Sequence, residues 1–170
     1  MKTGLKKTKS GFSLIEMVIY IAIMALILVV VVNTLSVMIL SQKKIKNHRV
    51  IEHSSSVALE RLTREIKSSK RIDFDQSVFG SNPGRLVLEV ENLIGESREI
   101  EFFVEDSILK FRDGELVAPL IDSRATIGSF LLYSLSEDGA QAVRIALTIE
   151  AGSGEFAKTE TFYASALMRN

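Results

Sequence analysis

From Phe12 to Leu40 the chain is apolar with five polar interruptions, Ser13, Glu16, Asn33, Thr34 and Ser36. Met17–Val32 alone is 16 residues without a charge. Phe12–Leu40 exceeds the roughly 20 residues that cross a bilayer as a helix. No proline or glycine occurs between Phe12 and Ser69, so nothing ends the helix at the membrane. Beyond Lys46 the apolar residues recur at helical spacing, Ile51, Ala58, Leu62 and Ile66, with Val57 and Leu59 alongside. Glu60/Arg64 and Arg61/Glu65 are i,i+4 pairs expected on the solvent side. A single helix of nearly sixty residues, about 85 Å long, is predicted, with Ser54–Ser56 the weakest stretch and the place for a bend.

After Asp73 the period becomes two. Leu86, Leu88 and Val90 share one face. Ile100, Phe102 and Val104 alternate with Glu99, Glu101, Phe103 and Glu105. Val143, Ile145, Leu147 and Ile149 form the cleanest alternation in the chain. Asn82-Pro83-Gly84, Asp113-Gly114, Asp138-Gly139 and Gly152-Ser-Gly154 mark turns. Strands are predicted near 85–92, 98–104, 107–112, 128–136, 142–150 and 156–167, joined antiparallel by short turns. Their one-sided apolar faces need a cover, and the stripe over 51–66 supplies one. The fold class is α+β: a long N-terminal helix, transmembrane in its first half, packed on an antiparallel sheet. Residues 12–40 form the transmembrane half of the helix, 41–70 its amphipathic half and 71–170 the β domain.

Charge changes the picture at the ends of the apolar span. Lysine and arginine balance aspartate and glutamate, 21 against 21. The leader Met1–Gly11 holds Lys2, Lys6, Lys7 and Lys9 and no acid, so the remainder is mildly acidic and unsuited to a phosphate backbone. The flank after the span, Gln42–Arg49, is also basic, so the positive-inside comparison is nearly balanced. The tiny leader decides the orientation, with the N-terminus in the cytoplasm and the β domain outside. There is no cysteine, which excludes disulfides, thiolate metal sites and a cysteine nucleophile.

Little in the chain suggests catalysis. His48 and His53 are five apart, off the i,i+4 spacing of a helical metal pair, and are expected on the surface. His53 beside Ser54–Ser56 has no orienting acid or oxyanion hole. Asp73 and Asp75 share a face if extended. Asp106, Asp113, Asp122 and Asp138 sit in or near turns without the spacing of a calcium loop. Gly152-Ser-Gly154 lacks the Lys-Ser/Thr of a phosphate loop and reads as a hairpin tip. No cofactor, metal, nucleic acid or small-molecule substrate is expected.

Three interpretations compete for the first forty residues. The apolar run is too long for a cleaved secretory signal, and no Ala-x-Ala site ends it. A plain signal anchor accounts for the hydrophobicity but not for Gly11 or Glu16. A carboxylate inside a membrane helix costs roughly 2.5–3.5 kcal/mol, so Glu16 needs a partner or a route to the interface.

The third interpretation rests on Lys9-Ser-Gly11 followed by Phe12-Ser-Leu-Ile-Glu16-Met, which resembles the signal of type IV prepilins and pseudopilins. The resemblance covers residues 1 to about 40. It implies a membrane aspartyl peptidase that cuts after Gly11 and methylates the new amine of Phe12, and it makes Glu16 the fifth-position glutamate. Glu16 then lies about 6 Å along the axis from that amine. In a bundle of staggered helices it can meet the Phe12 amine of a neighbour, two charges tolerable in lipid only together.

The fold the family implies is the one the periodicities predict. The closest similarity is to J-type minor pseudopilins of type II secretion or the equivalent minor pilins. It is carried by Leu59-Glu-Arg-Leu-Thr-Arg-Glu-Ile66, Ala142-Val-Arg-Ile-Ala-Leu147 and Leu167-Met-Arg-Asn170. Expected partners are the prepilin peptidase, other minor and major subunits, and the cytoplasmic membrane. The expected role is to start or cap a pseudopilus or pilus. A membrane-anchored enzyme or sensor, and a major pilin, are the alternatives.

Overall fold

The computed structural model describes residues 11, 13–91, 95–137 and 140–168. The leader before Gly11, Phe12, the Asp138-Gly139 turn and the final Arg169-Asn170 lie outside the described residues. The chain divides into two units, residues 1–42 and 43–170.

One helix, α1 (Leu14–Ser68, 55 residues), runs through both units without a break. In the first unit the large apolar side chains from Leu14 to Leu40 are exposed. Two hydroxyls there are satisfied within the helix: Thr34 Oγ1 donates to the Val30 carbonyl at 2.8 Å and Ser36 Oγ to that of Val32 at 2.9 Å. That back-bonding lets polar residues sit in an apolar span without a stray donor. Among the described residues, α1 is the helix long and apolar enough to cross a membrane.

In the second unit α1 buries Val50, Ile51, Ser54, Ser55, Ala58, Leu62 and Ile66, one face at steps of three and four. Helical hydrogen bonding continues through Ser54–Ser56, the stretch that could bend. Ser55 Oγ donates to the Glu52 carbonyl at 2.9 Å, and Ser54 Oγ accepts the Asp122 N–H at 3.2 Å. Both serines are buried, small enough for the sheets to approach and each with a hydrogen-bond partner.

Two antiparallel sheets stand where a single one is predicted. The first comprises β1 (Arg71–Ile72), β2 (Leu86–Glu91), β3 (Ser97–Glu105), β4 (Ile108–Asp113) and β5 (Leu116–Pro119), in that spatial order. The second comprises β6 (Ala125–Glu137), β7 (Ala140–Ala151) and β8 (Lys158–Leu167), again in chain order. The six predicted strands are present. β1 and β5 escape the sequence reading because two and four residues show no periodicity. The β3–β4 connection is a two-residue turn with Asp106 and Ser107 both at positive φ, the mirror-image turn that matches strand twist.

α1 and both sheets share one core. Ile51, Leu62 and Ile66 pack with Leu86, Leu88, Ile100, Phe102 and Leu109 of the first sheet and Phe130, Leu132, Val143, Ile145 and Leu147 of the second. Each fully buried side chain of this size contributes roughly 1.5–3 kcal/mol.

Two expected exposures are corrected. The Arg61/Glu65 pair is made, at 2.7 Å, but Glu65 is largely buried and the Arg61 guanidinium lies over the Phe111 ring at 4.4 Å. The pair therefore faces the first sheet rather than water. Glu101, on the outward side of β3, is only 8% exposed because Arg85 and Arg112 close over it from either side.

Candidate functional site

The sequence singles out Gly11, Phe12 and Glu16, and the structure describes the first and third. Gly11 is exposed, and a Cβ added there meets nothing within 4 Å. Gly11 is therefore open, and it precedes the first residue of α1, Leu14. Helical hydrogen bonding begins immediately afterwards, with Met17 N–H donating to the Ser13 carbonyl at 3.2 Å.

Glu16 occupies the first turn of α1. The orphan N–H groups there carry the positive end of the helix dipole, which favours a carboxylate by about 0.3–1 kcal/mol. That is well short of the insertion cost of an acid in lipid, so the dipole alone does not explain Glu16. The Tyr20 hydroxyl, one turn on, reaches Glu16 Oε1 at 3.5 Å. The i,i+4 spacing of Tyr20 from Glu16 is the sequence signal for this contact. Tyr20 thus stands on the C-terminal side of the carboxylate, one turn along α1.

The remaining candidates are held by structure. His48 is half-buried, with Nε2 3.3 Å from Glu52, Nδ1 3.4 Å from Glu160 and the Lys158 ammonium 2.9 Å from Nδ1. It ties α1 to β8, whereas His53 is exposed as expected. Asp73 and Asp75 do not share an extended face. Asp73 Oδ1 instead accepts the N–H groups of Asp75 and Gln76, at 3.0 and 3.1 Å, and closes a turn. The Gln76 backbone and side-chain hydrogen bonds hold the Asp73 carboxyl below the usual carboxylate range.

Asp122 is gripped by the Arg124 guanidinium at 2.9 and 2.7 Å and accepts the Arg124 N–H, which pushes its carboxyl far down. Asp113 takes both oxygens to Arg98. Gly152 turns the chain between β7 and β8, and the Asn47 amide donates to the Phe156 carbonyl there. Among the described residues no group of three or more His, Asp or Glu could hold a metal ion. A cavity of about 570 Å³ on the first sheet is lined by Arg85, Arg98, Arg112, Glu99, Glu101 and Asp113, where Glu101 pairs with Arg85 and Arg112, and Asp113 with Arg98.

Residues 6–32 match the model of the prokaryotic N-terminal methylation motif. The chain carries a type IV prepilin-like N-terminus. The match begins within the basic leader, runs through Gly11 and Glu16, and ends within the apolar half of α1. A prepilin-like motif implies processing by a prepilin peptidase and assembly with other pilins, and with the apolar helix it points to membrane anchoring of a globular domain. The single long helix and antiparallel sheets agree with a pilin-like fold. No curated protein and no solved structure is significantly similar to the chain.

Proposed function

We propose that this chain is the precursor of a minor pilin-like subunit, cut between Gly11 and Phe12, methylated on the Phe12 amine and drawn from the cytoplasmic membrane into a short filament. The observation that carries the reading is the methylation motif over residues 6–32, with an exposed Gly11 directly before an apolar helix whose first turn holds Glu16. The leader faces the cytoplasm, residues 12–40 lie in the bilayer, and the β domain is outside. The subunit starts or caps a type II secretion pseudopilus or a type IV pilus, with sister minor subunits as the partners of its head.

The physical logic is a transfer between two apolar environments. Moving α1 from lipid into a bundle of like helices changes its hydrophobic burial little, so packing and polar contacts decide which helices join. A cationic Phe12 amine on one subunit and Glu16 on its neighbour supply such a contact. Each alone is expensive in lipid, and the two together are tolerated. The subunit acts mechanically, and no catalytic role is proposed for its head.

The test is the mass of the N-terminal peptide of the mature protein. A peptide that begins at Phe12 and carries one added methyl group is the expected result. A functional chain that still begins at Met1 overturns the reading.

A further inference from the structure

The apolar span carries no charge between Glu16 and Lys43. Its last large side chains, Leu35, Val37, Met38, Ile39 and Leu40, are 45–64% exposed on the protein, so lipid is their cover and the span runs to Leu40. Lys43 is three residues further on. Three residues reach at most about 11 Å in any conformation, so the Lys43 backbone lies in or beside the headgroup layer. This limit comes from chain length alone and holds for any orientation of residues 43–170.

The fold sets the β7–β8 connection against this point. The Asn47 amide donates to the Phe156 carbonyl at 2.8 Å, and the Lys43 ammonium stands 5.5 Å from the centre of the Phe156 ring. A tip more than a hundred residues away in sequence is thereby held beside the residues that leave the bilayer. A cavity of about 320 Å³ opens there, lined by Lys44, Glu155, Phe156, Ala157 and Lys158.

The charge at this place is unbalanced. Lys43, Lys44, Lys46 and Arg49 are exposed, and among the described residues none of them makes an ion pair. In the β domain, by contrast, Arg71, Arg85, Arg98, Arg112 and Arg124 each meet a carboxylate. Lys158 is shared by Glu160 at 2.6 Å and His48 at 2.9 Å. Glu155 is the acid of the tip, and it offsets only part of the excess.

We propose that Lys43, Lys44 and the β7–β8 tip form a headgroup site for the phosphodiester of an anionic phospholipid, which holds the head on the bilayer in addition to α1. Lys44 and Lys158 supply charge-assisted donors, and Lys43, Lys46 and Arg49 add attraction to an anionic surface. Lysine stems let the ammonium groups reach back to the phosphate level. The Phe156 ring gives an apolar flank for the carbons next to the phosphate. Glu155 disfavours a free phosphate, with its nearly double charge, more than the singly charged phosphodiester of a lipid. The inference rests on membrane anchoring by the apolar span and not on cleavage at Gly11, so its failure leaves the processing proposal standing.

The chain has no tryptophan, so Phe156→Trp gives the full-length protein a single fluorescent reporter at the tip. The variant is reconstituted into phosphatidylcholine vesicles, with and without phosphatidylglycerol, that contain a lipid bearing a nitroxide on its headgroup. Quenching is expected to be about twofold stronger with phosphatidylglycerol present. Adding Lys43→Gln and Lys44→Gln, both at exposed positions, should return it to the phosphatidylcholine level. A second measurement leaves Phe156 in place: from mixed micelles the wild type should retain phosphatidylglycerol over phosphatidylcholine, and the lysine double variant should not. Equal quenching in both lipids, equal lipid retention by wild type and double variant, or a response that inorganic phosphate reproduces on phosphatidylcholine vesicles overturns the proposal. Vesicle flotation separates the two readings. A chain that does not float refutes the anchor and the site together, whereas a floating chain without the lipid response refutes the site alone.

Discussion

The side-chain amide of Asn47 donates to the carbonyl of Phe156 at 2.8 Å, joining α1 to the β7–β8 connection across 109 residues of sequence. Gly152 sits beneath this contact with φ +89, and a Cβ there would collide with both the Asn47 amide and the Phe156 oxygen. The two residues therefore form one clamp. Asn47→Ala is expected to destabilise the head by about 1 kcal/mol, the worth of one partly buried hydrogen bond. Gly152→Ala is expected to cost about 2 kcal/mol or more, since it adds a left-handed backbone penalty to the collision. Urea unfolding of the two variants, compared at equal m-value, checks the order.

Glu101 joins two arginines, Arg85 at 2.6 Å on one side and Arg112 on the other, and Arg112 in turn lies 4.6 Å from the Phe103 ring centre. Replacing it with alanine leaves two guanidiniums facing each other over a gap. Both arginine side chains are 44% exposed, so water screens part of the repulsion. Glu101→Ala is expected to destabilise by roughly 1–2 kcal/mol rather than the 3–5 kcal/mol of a dry pair. Added salt should narrow its deficit against wild type, and a deficit independent of salt would assign the effect to packing instead.

Acid should weaken the head through Asp122, Asp73 and Glu105. Arg124 holds the Asp122 carboxyl down, hydrogen bonds from Gln76 lower Asp73, and the Lys110 ammonium lowers Glu105. A carboxylate with a lower pKa folded than unfolded adds stability above its unfolded value, near 4, and loses it as pH falls toward the folded value. Stability is therefore expected to hold from pH 7 to about 5 and to decline below 4. Asp122→Asn should be less stable than wild type at pH 7, with the two curves converging toward pH 2. Parallel curves would show that Asp122 has no part in the acid response.

Much of this architecture is readable in the residue pattern because periodicity reports burial directly. Ile51, Ala58, Leu62 and Ile66 mark the covered face of α1, and Val143–Ile149 marks β7. What escapes notice depends on partners far along the chain. Arg61 and Glu65 look solvent-facing until Phe111 is placed over them. Ser54 and Ser55 look like a hinge until Asp122 meets one of them. The division into two sheets lies in the course of the 120–124 connection between β5 and β6, which carries no period. At the N-terminus, Gly11 and Glu16 are singled out by the resemblance of Lys9–Met17 to a prepilin signal, whereas the Tyr20 contact requires the helix to be built.

The last prediction concerns Glu16, whose carboxylate is met by the Tyr20 hydroxyl one turn further along α1. Glu16→Leu removes a group that is unfavourable in lipid by roughly 2.5–3.5 kcal/mol, so membrane retention should be as strong as wild type or stronger. On the proposed pairing, incorporation into filaments should fall at least tenfold, because the neighbour's Phe12 amine would then enter the helix bundle unpaired. Glu16→Gln separates charge from shape, since it keeps a hydrogen-bond acceptor for the amine but loses the ion pair. It should fall between wild type and leucine. Counting subunits in sheared filaments against the membrane pool measures both variants, and equal incorporation of all three would remove Glu16 from the assembly mechanism.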